Sequence, residues 1–332
     1  MDLLRSIAIL TVFLGHTVLS YGAPAHLAPL QFGGTGVDLF FVLSGWLLGG
    51  QLFKEIQNTQ SVDLKRFWMR RWLRTLPAYY VVLFLSGAQR YFNEQSPAVP
   101  FEYLIFTQNY NYPLEFFTIS WSLCVEEQFY LFIAPFLLML SLMKSNSKAM
   151  LILCAVLLLP LLFRNLELYQ YAEETHVRWD GCLMGVLLAG IKYQHKNLWA
   201  KLESIAPLIA LIALTIYLLS YYNRWSPISF WADPDKLILA LMFGSWVVLA
   251  NANYRVISKL YLPGVKYIAL RSYAIYLLHP ESLAIMKRFF SHLTFLPYLV
   301  IAFLISLVFS EILYRVVEKP IMDLREKLES TK

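Results

Sequence analysis

Charge is what this chain has least of. Only 15% of its 332 residues are Asp, Glu, Lys or Arg, whereas 58% are hydrophobic. The mean hydropathy is +0.53. Soluble domains carry about a quarter charged residues, so a soluble globular fold is excluded as the chain's class. Cysteine is scarce as well. Cys124, Cys154 and Cys182 each lie in an apolar segment without paired spacing, which supplies neither a disulfide framework nor a metal site. Internal repeats and low-complexity tracts are missing, and no appended soluble domain is expected at either end. The formal net charge is +6. On a soluble chain that excess would suggest nucleic acid; here it marks cytoplasmic loops, and no nucleic-acid partner is expected.

What the chain does have is apolar runs of about 20 residues separated by short polar loops, the pattern of an all-α polytopic integral membrane protein. About ten transmembrane helices are expected, near 5–22, 34–53, 75–92, 119–142, 149–163, 177–193, 205–222, 236–252, 267–286 and 294–314. The stretch 101–112 reads as a re-entrant or interfacial piece. The weak basic start of the first run and His16 within it argue for a retained span over a cleaved signal. With the N-terminus inside, 21 of the Lys and Arg residues fall on the inner side and 7 on the outer. Both termini are then cytoplasmic, as the positive-inside rule requires. A transmembrane domain over 1–322 with a short cytoplasmic tail over 323–332 follows.

Four constellations could carry chemistry. In the first run, His16 follows Arg5 by eleven positions, within about 20° of three full helical turns and roughly 16 Å along the axis. Both sit on one stripe. An ionisable group at membrane depth costs a few kcal/mol and usually faces a polar interior, although a membrane histidine can also simply hydrogen-bond across helices. The second constellation is Lys65-Arg66-Phe-Trp-Met-Arg70-Arg71-Trp-Leu-Arg74-Thr-Leu-Pro77. Arg66, Arg70 and Arg74 repeat at i, i+4 and i+8 and make one basic face, suited to lipid phosphates or to a phosphorylated cofactor.

The third is Trp121-Ser122-Leu-Cys-Val-Glu126-Glu127-Gln-Phe-Tyr130. Two adjacent carboxylates in an apolar span point about 100° apart. One could pair structurally with an arginine while the other orients or protonates a reacting group. The fourth, Gly33-Gly-Thr-Gly36-Val-Asp38 through Ser44-Gly45-Trp46, reads first as close helix packing through small residues, with Asp38 the acidic exception. Further embedded polar residues are His176, Arg178, Asp180, His279 and Glu311. Arg178 and Asp180 could form an ion pair near the outer surface. Tyr110, Tyr112, Phe116, Phe117, Trp121, Trp179, Trp225 and Trp231 read mainly as an interfacial aromatic belt; a few could stack on sugar rings.

Taken in order, these motifs resemble the membrane acyltransferase-3 family, bacterial enzymes that decorate cell-surface polysaccharides, lipopolysaccharide, peptidoglycan and small molecules. The resemblance runs from Arg5-x10-His16 and Gly36-Val-Asp38-Leu-Phe-Phe-Val-Leu-Ser44-Gly45 through Arg70-Arg71-x-x-Arg74-x-x-Pro77 and Trp121-Ser122-Leu-x-x-Glu126-Glu127-x-Phe129-Tyr130. It continues through Arg178-x-Asp180, Ser272-Tyr-x-x-Tyr-Leu-x-His279 and Glu318-Lys-Pro320. It implies an O-acetyltransferase of the bacterial inner membrane, with acetyl-CoA as cytoplasmic donor and a saccharide or glycolipid hydroxyl as acceptor.

The resemblance makes Arg70, Arg71 and Arg74 the candidates for binding the donor phosphates. His16 becomes the general base, aided by Glu126 or Arg5. A covalent acyl-histidine relay is the alternative mechanism. Asp38, Trp121, Arg178, Asp180 and His279 are the candidate substrate-binding residues, in a membrane that also supplies lipid contacts. A transporter or flippase for a lipid-linked saccharide would also embed His, Arg and Glu, but the two related halves common in carriers are not found.

Overall fold

The computed structural model describes residues 1–94, 99–143, 145–223, 235–252 and 262–330. Among them every regular element is helical. The first helix, α1, spans Asp2–Ser20. It stops where Gly22 takes a φ of +95° and Pro24 follows, which cannot continue a helical hydrogen-bond ladder. A 3-10 segment, Ala25–Thr35, then folds back along α1 and leads into α2, Gly36–Thr59.

The return is possible only because its contact residues lack side chains. A Cβ on Gly33 would lie 2.0 Å from the Thr11 carbonyl oxygen, and one on Gly36 would lie 2.4 Å from that of Ala8. Backbone packs directly on backbone there, as small residues permit between membrane helices.

Helix α3 spans Leu64–Glu94, with Asp63 accepting from the Arg66 amide as its N-terminal cap. Its first half carries the arginines; its second half is apolar. A short helix, α4 (Phe101–Ile105), and a 3-10 turn at Gln108–Tyr110 occupy the stretch expected to be re-entrant or interfacial. Next come α5 (Trp121–Ser141), α6 (Asn146–Leu157) and α7 (Leu159–Asn165). The last two divide just before Pro160, where proline removes a ladder donor.

Helix α8, Asp180–Gln194, is buried from Asp180 through Ile191. It crosses α2 at glycines on both partners. A Cβ on Gly45 would fall 1.9 Å from the Cys182 oxygen, and one on Gly185 would fall 2.2 Å from the Val42 oxygen. The remaining helices are α9 (Lys196–Asn223), α10 (Asp235–Asn251), α11 (Val265–Phe289) and α12 (Phe295–Leu313). A π-helical turn at Tyr314–Glu318 leads into α13, Lys319–Ser330, which runs on past the boundary expected at residue 322.

Six helical stretches among the described residues are long and apolar enough to cross a membrane: Asp2–Ser20, Ala25–Thr59, Thr118–Ser141, Asn146–Asn165, Lys196–Tyr221 and Phe295–Lys327. The other four expected spans differ for visible reasons. The one at 75–92 is the apolar half of a helix whose other half is basic. Helices α8 and α10 are 15 and 17 residues long. Helix α11 carries Lys266, Arg271, His279, Glu281, Lys287 and Arg288.

Helix α1 is held against α11 and α12 along its length. Ser6 Oγ donates to the Val265 carbonyl at 2.8 Å, Ser20 Oγ meets the Tyr298 hydroxyl at 2.9 Å, and the Tyr21 hydroxyl donates to the Leu293 carbonyl at 3.1 Å. Phe13 packs with Leu283, Met286, Tyr298 and Ala302 in the same seam. These contacts fix the face of α1 that bears Arg5 and His16.

Candidate active site

Five helices, α1, α2, α3, α5 and α11, line a cavity of about 120 Å³. Arg5 from α1, Arg71, Arg74 and Thr75 from α3, and Glu126 and Tyr130 from α5 supply its polar wall. Ser44 comes from α2, and Ser272, Tyr273 and Tyr276 come from α11; Phe40, Phe41 and Leu47 make it apolar on the α2 side.

Polar cross-links hold these walls in register. The Ser44 and Tyr130 hydroxyls are 2.7 Å apart, and Tyr130 donates to Glu126 Oε2 at 2.9 Å. Ser122 Oγ and the Tyr276 hydroxyl stand 2.5 Å apart, joining α5 to α11. Thr75 Oγ1 donates to Glu127 Oε1 at 2.7 Å, and the Tyr273 hydroxyl donates to the Thr75 carbonyl at 2.9 Å. The two adjacent glutamates divide as helical geometry requires: Glu126 faces the cavity, and Glu127 is buried against α3.

Three guanidinium groups therefore meet at one cavity. Arg71 donates to the Gln51 side-chain oxygen at 3.1 Å, and the nearest carboxylate contact of Arg5 is Asp2 at 3.9 Å. Among the described residues, no carboxylate closes a short ion pair with Arg5, Arg71 or Arg74. Arg66 is spent on Glu55 at 2.7 Å, and Arg70 is exposed and off the cavity wall. The i, i+4, i+8 face expected from Arg66, Arg70 and Arg74 is thus not the one that forms the site. Arg71 and Arg74 are joined instead by Arg5, which was expected beside the chemistry.

His16 is not on the cavity wall. Its Nδ1 lies 2.7 Å from Nε2 of His279 on α11, and Nδ1 of His279 lies 2.7 Å from the Tyr276 carbonyl oxygen. Tyr276 is the link, since it lines the cavity and its ring centroid is 5.7 Å from that of His279. His279 is completely buried, at 0% exposure, whereas His16 is half-buried. Glu126, expected to orient His16, makes no hydrogen bond to it among the described residues. Glu126 is engaged by Tyr130, and the partner of His16 is a second histidine 263 residues away.

The acidic and basic residues expected near the outer surface pair differently as well. Arg178 and Asp180 are not partners. Arg178 Nη2 donates to Asp38 Oδ1 at 3.1 Å, and its guanidinium lies 4.9 Å over the Trp121 ring. Asp180 instead receives both terminal nitrogens of Arg164, at 2.7 and 2.8 Å. The chain passes from a 3-10 turn at Thr175–Val177 into α8 at Asp180, so residues two apart leave on different sides. Arg164 was the residue missed. Its signal was a lone arginine ending a short apolar run, which inside a membrane bundle calls for an acid.

Two expected belt aromatics pack on rings outside that set: Phe116 stacks on Tyr103 at 4.6 Å, and Trp179 on Phe132 at 5.0 Å. Trp225 and Trp231 lie outside the described residues. Among the described residues, no group of three or more His, Cys, Asp or Glu is placed to hold a metal ion.

Comparison with known proteins supplies the remaining evidence. A putative O-acetyltransferase of Staphylococcus aureus (strain COL) is 26% identical over 96% of this chain and 56% of its own length. The peptidoglycan O-acetyltransferase OatA of Listeria monocytogenes is 26% identical over 84% of the chain and 48% of its own length. A putative peptidoglycan O-acetyltransferase of Bacillus subtilis is 24% identical over 97% and 54%. The chain thus spans about half the length of these relatives. No solved structure matches it. The family model described as "Acyltransferase domain" matches residues 1–315. That match runs through every element that lines the cavity and through both histidines, and the chain belongs to the acyltransferase-3 family.

Proposed function

We infer that the chain is a membrane-embedded O-acyltransferase. It moves an acetyl group from cytoplasmic acetyl-CoA to a hydroxyl of a cell-surface saccharide or glycolipid, with His16 as general base. The observation that carries this reading is the meeting of Arg5, Arg71 and Arg74 at one cavity without a short carboxylate partner. Three cations share the cavity wall with one facing carboxylate, Glu126, which Tyr130 engages; a further anion would complete them, and charge-assisted bonds to phosphate are the strong ones available. The cavity has both polar and apolar walls. It suits the slender acyl-bearing arm of the donor, with phosphates held by the arginines around it.

His16 lies on the same helix as Arg5, roughly 16 Å along its axis, so phosphate recognition and chemistry are separated by a long arm's reach. The saccharide acceptor is supported by the relatives named for peptidoglycan. An inner-membrane, multi-pass arrangement of about ten spans with both termini cytoplasmic fits the 21 to 7 division of basic residues. In the reaction, the acceptor oxygen bonds to the acetyl carbon as the carbon–sulfur bond breaks. The hydroxyl proton passes to His16 and then to the departing sulfur. General-base catalysis of this kind contributes about 10²–10⁴-fold.

Titration of the purified protein with acetyl-CoA tests the reading. A bond between a charged donor and phosphate is worth about 1.5–3 kcal/mol. Arg71→Gln and Arg74→Gln are each expected to weaken binding by about tenfold or more. Acetyl-pantetheine, which lacks the nucleotide phosphates, is expected to bind weakly and to be indifferent to both substitutions. Unchanged acetyl-CoA affinity in both variants would overturn the arginine assignment.

A further inference from the structure

We propose that His279 sets the tautomer of His16 and thereby makes Nε2 of His16 the atom that receives the acceptor proton. The inference rests on the reading of His16 as general base and adds to it a positioning residue and the identity of the basic nitrogen.

The argument starts at a backbone carbonyl. An oxygen of that kind only accepts, so Nδ1 of His279, 2.7 Å from the Tyr276 oxygen, carries a hydrogen. His279 is wholly buried, and among the described residues no carboxylate lies within ion-pair distance of it. An unpaired buried charge is costly, so the ring is neutral and its remaining nitrogen, Nε2, is an acceptor. That nitrogen stands 2.7 Å from Nδ1 of His16. His16 must therefore donate from Nδ1, which leaves the lone pair of the neutral ring on Nε2.

Ring geometry agrees. The two centroids are 4.8 Å apart and the planes differ by 15°. The 2.7 Å nitrogen–nitrogen contact plus two ring radii slightly exceeds that separation, so the contact lies nearly along the line of centres. The rings thus meet edge to edge and almost coplanar, with the hydrogen aimed along the lone pair. No hydrogen bond engages Nε2 of His16 among the described residues, and His16 is the more exposed of the two rings. The order Tyr276 carbonyl, His279, His16 gives a one-way chain of donors whose open end is a base. His279 fills the orienting place in which a carboxylate was expected, and being buried it never touches the acceptor.

During transfer, the acceptor hydroxyl proton moves to Nε2 of His16 as the oxygen–carbon bond forms and the carbon–sulfur bond breaks. His16, then doubly protonated, keeps Nδ1–H on His279 and releases the Nε2 proton to the thiolate, yielding free thiol. Protons and electrons balance without a further reactant.

The test uses the full chain in nanodiscs with three replacements at one position. In His279→Gln the side-chain carbonyl can still accept from His16. His279→Leu offers nothing, and His279→Lys offers donors with no acceptor. The glutamine variant is expected to keep kcat within about tenfold, and the leucine and lysine variants to lose about 10²-fold or more. KM for acetyl-CoA should move less than about twofold in all three, because the phosphate site is untouched. Glutamine and leucine falling together, with KM and folded yield lost alongside, would show a merely structural histidine and overturn the proposal.

Nitrogen-15 spectra of histidine-labelled wild type, with His16 assigned by its loss in His16→Gln, read the tautomer without any turnover. A protonated Nδ1 on neutral His16 is expected; a protonated Nε2 would overturn the proposal. If wild type shows the expected tautomer but releases no thiol from acetyl-CoA, the donor falls and the tautomer assignment stands.

Discussion

At the residue scale, the sequence already placed Arg5 and His16 on one stripe, because helical periodicity relates positions on the same helix. It could not supply the partner of His16. His279 lies 263 residues away, and no local pattern encodes which side chain a neighbouring helix will present at a given depth. The same holds for the buried ions. Two charges only two positions apart looked like a pair, yet each found its partner on another element. The resulting Asp38–Arg178 contact is buried on both sides, with Asp38 and Arg178 each 7% exposed. Removing Arg178 leaves buried Asp38 with the longer Lys236 contact at 3.8 Å; stranding a buried charge outright typically costs about 3–5 kcal/mol. Arg178→Ala is therefore expected to lower the thermal midpoint of the detergent-solubilised protein sharply. Arg66→Ala, which breaks an exposed pair worth at most about 1 kcal/mol, should leave it nearly unchanged. Equal midpoints would show that the Asp38 contact contributes no net stability.

At the element scale, hydropathy found the long apolar helices and missed where they begin and end. Helix α8 shows why. Buried from Asp180 through Ile191, it meets protein on every side, so neither its length nor its charge pattern is set by lipid. Small-residue clusters were legible as packing sites, and the structure shows their resolution to be a single residue. Gly33 and Gly34 are neighbours of identical chemistry. A Cβ on Gly33 would fall 2.0 Å from Thr11, while one on Gly34 meets nothing within 4 Å. Gly33→Ala must push the returning segment off α1 and is expected to reduce folded yield and transfer together. Gly34→Ala should match wild type in both. Size-exclusion yield and thiol release measured side by side check the pair, and similar losses from both would contradict the backbone-on-backbone contact.

At the scale of the whole molecule, the ordered motifs and the division of basic residues pointed to a membrane acyltransferase before any contact was known, and the family match over residues 1–315 agrees. What could not be read was how the parts converge. Arg5 joins Arg71 and Arg74 at the cavity while His16 sits beyond Tyr276, so one helix serves both ends of the site. On the proposed reading, that arrangement ties donor recognition and chemistry to a single element, held by hydrogen bonds to α11 and α12. The acceptor is the least constrained partner, because the ionic residues expected to bind it are engaged in buried ion pairs, Asp38 with Arg178 and Asp180 with Arg164. The most direct measurement is thiol release from acetyl-CoA by the purified protein supplied with a peptidoglycan-derived saccharide, wild type beside His16→Ala. The account predicts steady wild-type release that the variant loses by about 10²-fold or more while still binding acetyl-CoA. Equal release by the two proteins would contradict it.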